Sequence, residues 1–350
     1  MLTGKHILSC DSIDNDDLHR LFELADLLQP VAKGLKYTRI LEGAMLCSLF
    51  FEPSTRTRLS FDSAFMRLGG SVSSTTGFSF SSIAKGESLE DTSRVVSGYG
   101  DILVVRHPEE QAIYDIAAQT YVPVINGGNG AGEHPTQALL DLYTLERELQ
   151  RTDRCLQKSV IVLAGDLRFG RTIHSLVKLL VRFSPRKLIF LSPENLRLPE
   201  NLRDMLAKQT IDVEETQNVG EALRQADVIY TTRVQKERFP ENELAENYSS
   251  DFRIDAALFE RFASPNTLIM HPLPRDSRDG ANDLSADLNS DSRLAIFRQT
   301  DAGVPIRMAL FASVMGVADH VQNSLQEAKR FTPRYTGVQD AAFYERNPAK

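Results

Sequence analysis

The stretch Glu52-Pro53-Ser54-Thr55-Arg56-Thr57-Arg58 joins an apolar run at residues 44–51 to a segment with helical spacing. The run shows no helical spacing of polar positions, which predicts a buried strand. Apolar residues then recur every three or four positions up to a glycine pair at 69–70, which predicts an amphipathic helix that ends there. The quoted stretch is therefore predicted to be a strand-to-helix turn, the repeating unit of α/β folds.

The residues of this turn suit an anion. Ser54 or Thr55 is the natural N-cap of the helix, where free backbone N–H groups meet the positive end of the helix dipole. Arg56 adds a planar guanidinium that is always charged, and the hydroxyls of Ser54, Thr55 and Thr57 complete a donor-rich cradle for a phosphate-sized dianion. An ordinary cap beside solvated arginines is the alternative interpretation, because capping residues are common at helix starts.

Composition restricts the class of protein. The 350 residues suffice for two domains, and 42% hydrophobic with 25% charged residues is typical of a soluble globular protein. A formal net charge of −7 disfavours a nucleic-acid partner. The three cysteines share no ligand-like spacing, so neither a disulfide framework nor a cysteine-based zinc site is expected. The sequence shows no signal peptide and no run of transmembrane length, which predicts a cytoplasmic protein without membrane contact.

Short apolar runs alternate with amphipathic stretches along the chain, which predicts parallel sheets with crossover helices. The expected fold class is α/β, with two doubly wound domains that each have a central parallel sheet flanked by helices. The active site is expected in the cleft between the domains. Strands are predicted at residues 44–51, 71–75, 101–105, 122–125, 160–164, 187–191, 211–213, 228–231 and 267–270.

A polar run at residues 151–158 marks the predicted domain boundary. The domains are predicted at 1–150 and 151–303, with a final helix at 304–321 packing back on the first domain. The segment 322–350 is polar and shows no period, which predicts either a disordered tail or an arm that docks elsewhere on an oligomer.

Conspicuous polar residues follow the predicted strands in both halves. Because ligands bind at the carboxyl ends of parallel strands, these residues are expected to converge on one site. They are the turn 54–57, Arg106, His134, Gln137, Arg171, Arg233 and the pair Leu273-Pro274. The glycine-rich stretch 126–133 does not match the dinucleotide fingerprint in register, and no phosphate-binding P-loop motif occurs in the sequence.

Five motifs, in order along residues 5–320, together resemble the catalytic chains of aspartate carbamoyltransferases. They are Phe-Glu-Pro-Ser-Thr-Arg-Thr-Arg at 51–58, His-Pro-Thr-Gln at 134–137, Gly165-Asp166 with Gly170-Arg171-Thr172, the stretch 232–238, and His-Pro-Leu-Pro-Arg at 271–275. Ornithine carbamoyltransferases share the first motif but carry a cysteine at the position of Pro272. The Arg233-x-Gln235 stretch resembles the part of the aspartate enzymes that holds a dicarboxylate.

There are two alternatives to an aspartate carbamoyltransferase. One is a carbamoyltransferase for another amine, such as ornithine, and the other is a non-catalytic paralogous scaffold subunit. Pro272 and Arg233-x-Gln235 weigh against the first. A scaffold has no reason to retain the full charged set, which weighs against the second. That set is Arg56, Lys85, Arg106, His134 and Arg171.

The resemblance implies transfer of the carbamoyl group of carbamoyl phosphate to L-aspartate, giving N-carbamoyl-L-aspartate and phosphate, an early step of de novo pyrimidine biosynthesis. It implies that the phosphate is held by Ser54, Arg56 and the backbone of 55–57. It also implies that the carbonyl oxygen is faced by Arg106, Thr57 and His134. His134 is then a hydrogen-bond donor rather than a general base, and the departing phosphate accepts the proton.

The resemblance implies further contacts for the rest of the two substrates. Gln137 and backbone carbonyls near Leu273-Pro274, an implied cis bond, would bind the amide nitrogen of the carbamoyl group. Arg171 and Arg233, assisted by Gln235, would bind the two carboxylates of aspartate.

The resemblance also implies conformational and oligomeric roles. Glu52 would pair with Arg171 and Arg238 to stabilise the closed form, while a solvated turn carboxylate is the alternative for Glu52. In the loop 76–86, Ser81 and Lys85 would enter the active site of the neighbouring subunit of a homotrimer. The exposed phenylalanines Phe78 and Phe80 of this loop fit such a contact. The resemblance implies no metal and no organic cofactor. It leaves undecided whether the chain binds a regulatory chain or a dihydroorotase.

Overall fold

A computed structural model describes residues 2–76, 86–235, 238–239, 252–276 and 284–330. The chain divides into two compact units. The first unit comprises the described residues within 1–140 and 301–330, and the second comprises those within 141–300. Ser81, Lys85, Phe78 and Phe80 lie outside the described residues, as does the segment 331–350.

Helices and strands alternate through most of the described chain. The strands are β1 (Lys36–Tyr37), β2 (Met45–Phe50), β3 (Ser71–Thr76), β4 (Ile102–His107), β5 (Val124–Asn129), β6 (Val160–Ala164), β7 (Lys187–Leu191), β8 (Asp212–Thr216), β9 (Val228–Thr231), β10 (Leu268–Met270) and β11 (Gln326–Glu327). The helices are α1 (Asn15–Ala32), α2 (Thr55–Arg67), α3 (Leu89–Ser97), α4 (Ala112–Gln119), α5 (Pro135–Arg151), α6 (Arg171–Leu180), α7 (Glu200–Ala207), α8 (Val219–Gln225), α9 (Ala256–Phe262), α10 (Ile296–Asp301), α11 (Gly303–Val314) and α12 (Val321–Ser324).

The first unit is built on a parallel sheet of strand order β3-β2-β4-β5. Strand β2 is followed in the chain by β3 on one side and then by β4 on the other, so the strand order reverses between β2 and β4. Residues from Leu46 to Phe50 are all buried, as expected for a parallel strand covered on both faces. The carboxyl ends of β2 and β4 therefore form the crevice in which doubly wound folds bind ligands.

The second unit has a parallel sheet of order β10-β9-β6-β7-β8, and its strand order reverses between β6 and β9. Its core is formed by apolar side chains of the sheet and of the helices that cover it, among them Val162, Ile189, Ile229 and Phe259. The predicted α/β class with parallel sheets flanked by helices is confirmed in both units.

The last long helix ends earlier than the sequence predicts. The apolar pattern predicts a helix that continues to about residue 320, whereas α11 ends at Val314. Gly316 has a φ of 73°, a left-handed conformation that favours glycine, and the N–H of Val317 donates to the carbonyl of Ala312 at 2.9 Å. This is the bond pattern of a Schellman C-cap, which stops the helix. Helix α11 packs on α2 through Phe311, whose ring lies 5.9 Å from Phe61.

The beginning of the predicted extension is ordered structure rather than a tail. Strand β11 pairs antiparallel with β1, in the register Lys36 opposite Glu327 and Tyr37 opposite Gln326. The Lys36 ammonium lies 3.2 Å from the Glu327 carboxylate, and the Tyr37 hydroxyl donates to Gln326. The prediction of a disordered or docking segment from 322 onward is therefore wrong for residues up to 327.

The sequence-based prediction also ends β5 too early and omits the short helices α9, α10 and α12. Strand β5 continues to Asn129 through residues predicted as a loop, because amide hydrogen bonds of Asn126 and Asn129 replace apolar packing there. Among the described residues, no single helix is long and apolar enough to cross a membrane, and only the bent pair Ile296–Val314 with Ala318–Ser324 meets that test jointly.

Candidate active site

The turn after β2 places its hydroxyls at the start of α2. Ser54 occupies the N-cap position, yet within the described structure its side chain makes no capping hydrogen bond. Ser54 and Thr57 are half-buried, and Thr55 and Arg56 are exposed. An N-cap hydroxyl that does not bond to its own helix can instead donate to an anion at the helix N-terminus, where backbone N–H groups also point outward.

Arg106 lies at the carboxyl end of the neighbouring strand β4 and is almost fully buried. Its Nε atom lies 3.2 Å from a carboxylate oxygen of Glu52, and its Nη1 donates to the carbonyl of Gly127 at 3.4 Å. Arg106 is paired in register with Phe50 of β2, which brings it next to the turn that carries Glu52. A guanidinium held in this way is oriented before any ligand binds.

Hydrogen bonds within the glycine-rich loop fix the approach to His134. The Asn126 side chain donates to the side-chain oxygen Oδ1 of Asn129 at 2.9 Å, and the same Oδ1 accepts from the N–H of Glu133 at 3.0 Å. The Glu133 carboxylate in turn accepts from the N–H of Cys10 at 2.8 Å. His134 is buried directly before Pro135, the first residue of α5, where a proline is favoured.

Gln137 lies in the first turn of α5, and its N–H donates to the His134 carbonyl at 3.0 Å. His134 and Gln137 thus follow β5, the strand next to β4, at the same edge of the sheet as Arg106 and the turn 54–57. The first unit therefore collects its predicted site residues at the carboxyl ends of adjacent strands. They are Glu52, Ser54, Thr55, Arg56, Thr57, Arg106, His134 and Gln137.

In the second unit, Asp166 connects the two loops at the reversal of strand order. It follows β6, is fully buried, and accepts from the N–H of Phe169 and from the N–H of Gln235, both at 2.9 Å. Burial raises the pKa of the Asp166 carboxyl, and these backbone donors oppose the rise. Gly165 has a φ of 102°, and a side chain there would clash with the carbonyl of Thr232.

The predicted aspartate ligands of the second unit lie in or next to the two loops that Asp166 connects. Arg171 is the buried first residue of α6, and Arg233 is half-buried with its Nη1 donating to the Val234 carbonyl at 3.2 Å. The N–H of Arg238 donates to the Gln235 carbonyl at 2.9 Å, and its Nη1 donates to the Phe169 carbonyl at 3.0 Å. Arg171, Gln235 and Arg238 thus belong to the same pair of loops.

The loop after β10 contains the cis peptide bond Leu273-Pro274, which confirms the prediction for that bond. Leu273 has a φ of 58°, in the left-handed region that residues with a Cβ rarely occupy. Its N–H donates to Nδ1 of His271 at 2.8 Å, and its side chain packs against the core of the second unit.

Sequence reasoning missed two features of these sites. The first is the contact of Glu52 with Arg106 within the first unit; the pairing of Glu52 with Arg171 and Arg238 in a closed form stays a prediction. The second is the structural role of Asp166, which the Gly165-Asp166 motif alone does not reveal; an acidic residue that follows a buried strand and a glycine is the sequence signal for such a carboxylate. Among the described residues, no cluster of three His, Cys, Asp or Glu residues could hold a metal ion.

Comparisons with known proteins agree with this arrangement. The family model "Aspartate/ornithine carbamoyltransferase, carbamoyl-P binding domain" matches residues 5–147, and "Aspartate/ornithine carbamoyltransferase, Asp/Orn binding domain" matches residues 157–314. The aspartate carbamoyltransferase catalytic subunit of Dichelobacter nodosus is 50% identical over 344 residues, 98% of this chain and 99% of that one. The corresponding subunit of Saccharophagus degradans is 50% identical over 319 residues, 91% of this chain and 95% of that one.

Solved structures show the same fold. Aspartate transcarbamoylase from Trypanosoma cruzi in complex with carbamoyl aspartate and phosphate aligns with a TM-score of 0.81 at 40% identity, covering 90% of this chain and 96% of that chain. The complex of that enzyme with N-(phosphonacetyl)-L-aspartic acid aligns with a TM-score of 0.78 at 39% identity, covering 90% and 97%. Matches to both family models, near-complete coverage of the relatives and the shared fold lead to one conclusion: the chain belongs to the aspartate/ornithine carbamoyltransferase family.

Proposed function

We propose that this chain transfers the carbamoyl group of carbamoyl phosphate to the amine of L-aspartate. The products are N-carbamoyl-L-aspartate and phosphate, in an early step of pyrimidine biosynthesis. The relatives that match nearly the full length are named aspartate carbamoyltransferases, and one solved relative was crystallised with carbamoyl phosphate and aspartate. The observation that carries the proposal is that each sheet reverses its strand order between the strands whose ends bear the predicted cations, Arg106 in one unit and Arg233 in the other.

The phosphate of carbamoyl phosphate binds at the N-terminus of α2. The Ser54 hydroxyl, which makes no capping bond, and the first N–H groups of the helix donate to the phosphate oxygens. The hydroxyl of Thr55 and the exposed guanidinium of Arg56 add donors on the solvent side. These hydroxyl, N–H and guanidinium donors can pair with the oxygens of a phosphate, and the positive guanidinium suits the negative charge of the dianion.

The carbonyl oxygen of the substrate faces Arg106, Thr57 and His134. When the amine nitrogen of aspartate attacks the carbonyl carbon, a C–N bond forms and negative charge develops on this oxygen. Donors that are already oriented stabilise that charge most effectively, and the ion pair with Glu52 orients Arg106. The bond from the carbon to the phosphate oxygen then breaks, and the departing phosphate takes a proton from the amine.

The two carboxylates of aspartate bind to Arg171 and Arg233, with Gln235 as a further donor. A guanidinium can donate two parallel hydrogen bonds to a carboxylate, which sets its position and its orientation. Asp166 holds the backbone of Gln235 and so stabilises the loop that carries Arg233. The amide nitrogen of carbamoyl phosphate is a donor, and its acceptors are Gln137 and the backbone carbonyls near Leu273-Pro274.

The proposal includes an oligomer and a compartment. The chain forms a homotrimer in which Ser81 and Lys85 of one subunit contribute to the site of its neighbour, Lys85 as a ligand of aspartate and as a catalytic residue. Glu52 and Arg238 take part in closing the site. Cys10, Cys47 and Cys155 form no disulfide in the described part of the chain, which suits a reducing compartment such as the cytoplasm.

Phosphate release tests the proposal. The protein is incubated with carbamoyl phosphate and either L-aspartate or L-ornithine, and release is expected with aspartate only. Arg233→Lys should raise the KM for aspartate strongly, because a lysine cannot reproduce two parallel hydrogen bonds. Arg224→Lys, which changes an arginine that stacks on Phe262 away from the site, should leave KM unchanged. Activity with ornithine and not with aspartate would contradict the proposal.

A further inference from the structure

A line of buried hydrogen bonds runs through the second unit from α5 to the loop after β10. Asp141 is fully buried, and its carboxylate oxygens accept from the Tyr230 hydroxyl and from the side-chain amide nitrogen of Gln299, both at 2.6 Å. The side-chain oxygen of Gln299 accepts from the N–H of His271 at 2.9 Å. His271 Nδ1 accepts from the N–H of Leu273 at 2.8 Å.

Each bond in this line has only one possible direction. A carboxylate can only accept, so the Gln299 amide must turn its nitrogen toward Asp141 and its oxygen toward His271. Because His271 Nδ1 accepts a hydrogen bond, its ring carries its proton on Nε2. Burial, followed by the neighbouring Asp141 charge, raises the pKa of Tyr230 well above its usual value, which keeps its hydroxyl a donor. The line therefore has a single hydrogen-bonding arrangement.

The line ends at a backbone conformation that needs support. Leu273 has a φ of 58°, and a residue with a Cβ occupies this region only when its surroundings hold it there. The bond from its N–H to His271 is one such support. Gln299 holds His271 in turn through the backbone N–H of that residue, and Gln299 and His271 are both almost fully excluded from solvent.

We propose that Gln299 is a positioning residue that, through His271, sets the backbone of Leu273 and thereby orients the carbonyls that accept from the carbamoyl amide. The inference rests on the proposed function, which assigns those carbonyls to the amide nitrogen. Asp141 fixes the amide of Gln299 and lies one helical turn after Gln137, the other acceptor assigned to that nitrogen, on the same helix α5. Gln299 therefore acts on recognition of the amide and not on binding of the phosphate.

Two stable phosphonates distinguish recognition of the amide from binding of the phosphate. Phosphonoacetamide carries the amide, whereas acetonylphosphonate has a methyl group in place of the amino group. Wild-type protein is expected to bind phosphonoacetamide more tightly in calorimetric titrations. Gln299→Met keeps the size of the side chain but removes both hydrogen bonds, and it should reduce that preference roughly fivefold, the equivalent of one hydrogen bond. The affinity for acetonylphosphonate should stay within about twofold.

Tyr230→Phe is the matched control. It also removes one buried hydrogen bond to Asp141, but on the branch that does not lead to His271. It should therefore lower stability and keep the preference for phosphonoacetamide. A folded Gln299→Met protein with the wild-type preference would overturn the inference.

A second pair of variants covers the case in which Gln299→Met does not fold. An asparagine at position 271 can accept from the N–H two residues later, as in an Asx turn, whereas a leucine cannot. His271→Leu should lose the preference and His271→Asn should retain much of it; equal losses in both would refute the inference.

The wild-type protein separates this inference from the proposed function. If it transfers carbamoyl groups to aspartate but shows no preference for phosphonoacetamide, this inference fails and the proposed function stands. If it transfers no carbamoyl group to aspartate, the proposed function itself fails.

Discussion

The Nε atom of Arg106 lies 3.2 Å from the carboxylate of Glu52, and the two residues come from the ends of adjacent parallel strands. The side chain of Arg106 is 11% exposed and that of Glu52 is 30% exposed, so the pair is only partly screened by water. The negative carboxylate holds the guanidinium in place by charge attraction at the carboxyl end of β4.

Glu52→Gln should lower kcat/KM by about tenfold, because the ion pair that holds the Arg106 guanidinium in place loses its negative partner. The measurement is steady-state phosphate release, and Glu109→Gln, an exposed acid near the end of β4, serves as the control with no expected effect. The double variant with Arg238→Met separates two roles of Glu52. Additive losses indicate that Glu52 acts through Arg106, whereas a large coupling energy supports the predicted role in closure.

Ser54→Ala should weaken phosphate binding with little change in stability. The Ser54 hydroxyl does not cap α2, so its removal should change the free energy of unfolding by less than about 0.5 kcal/mol. Ser88 is the matched control, because its hydroxyl accepts from the N–H of Asp91 at 3.0 Å and caps α3. Ser88→Ala should cost about 1 kcal/mol in urea unfolding. Equal losses of stability in the two variants would show that Ser54 is an ordinary cap.

Lys33→Met should change the pH dependence of stability. Burial lowers the pKa of Lys33 from 10.5 to about 8, while Asp301 opposes this shift. Below pH 8 the lysine is charged in both the folded and the unfolded state, and the fold bears the full desolvation cost. Between about 8 and 10.5 the folded state loses the proton first, so the wild type gains stability with rising pH.

The stability of Lys33→Met relative to the wild type is therefore highest at pH 7, falls as the pH rises, and becomes independent of pH above about 10.5. Urea unfolding at pH 7, 9 and 10.5 measures it. Lys33→Arg, which stays charged throughout, should fall increasingly behind the wild type over the same range. A constant difference between Lys33→Met and the wild type would refute the shift.

Arg298→Met should destabilise the protein by about 3 kcal/mol, because it leaves a buried carboxylate poorly paired. Arg298 Nε lies 2.7 Å from Glu148, and both side chains are essentially fully buried. Arg151 also contacts Glu148, at 2.9 Å, which limits the loss. Replacing Glu148 by leucine in the same protein should recover part of the stability. The exposed pair Arg39 and Glu42 is the control, and Arg39→Met should cost less than about 1 kcal/mol.

Mixed oligomers test the proposed sharing of sites. Lys85→Ala and Arg56→Ala should each abolish activity while the trimer stays intact by sedimentation. When the two inactive proteins are dissociated and reassembled together, some sites receive an intact Arg56 from one subunit and an intact Lys85 from the next. Activity should then return in part. Mixed trimers with no activity at all would contradict a shared site.

The central strands could be predicted closely because their physical signal is local. Strands β6, β7 and β9 start and end at the predicted residues, since they are buried apolar runs bounded by polar residues or glycine. The edge strand β8 is half exposed, its apolar signal is weak, and its predicted position is shifted. The strand-to-helix turn between β2 and α2 could be predicted from capping residues and from the spacing of apolar residues alone.

Other features depend on long-range pairing that no local pattern encodes. The β1–β11 ribbon joins strands of two residues each, separated by nearly the whole chain. The contact of Glu52 with Arg106 depends on β4 returning to the other side of β2, a property of topology rather than of either motif. The family resemblance named the site residues, and their roles stay predictions.

The packing of α11 on α1 and α2 has a consequence for synthesis of the chain. The described residues of the second unit all lie between Asp141 and Thr300, whereas those of the first unit lie on both sides of this range. On the ribosome, the second unit therefore has all of its described elements as soon as Thr300 emerges. The first unit, although its sheet is translated earlier, keeps apolar faces of α1 and α2 uncovered until α11 follows. Its nascent form is the stage at which a chaperone would be needed most.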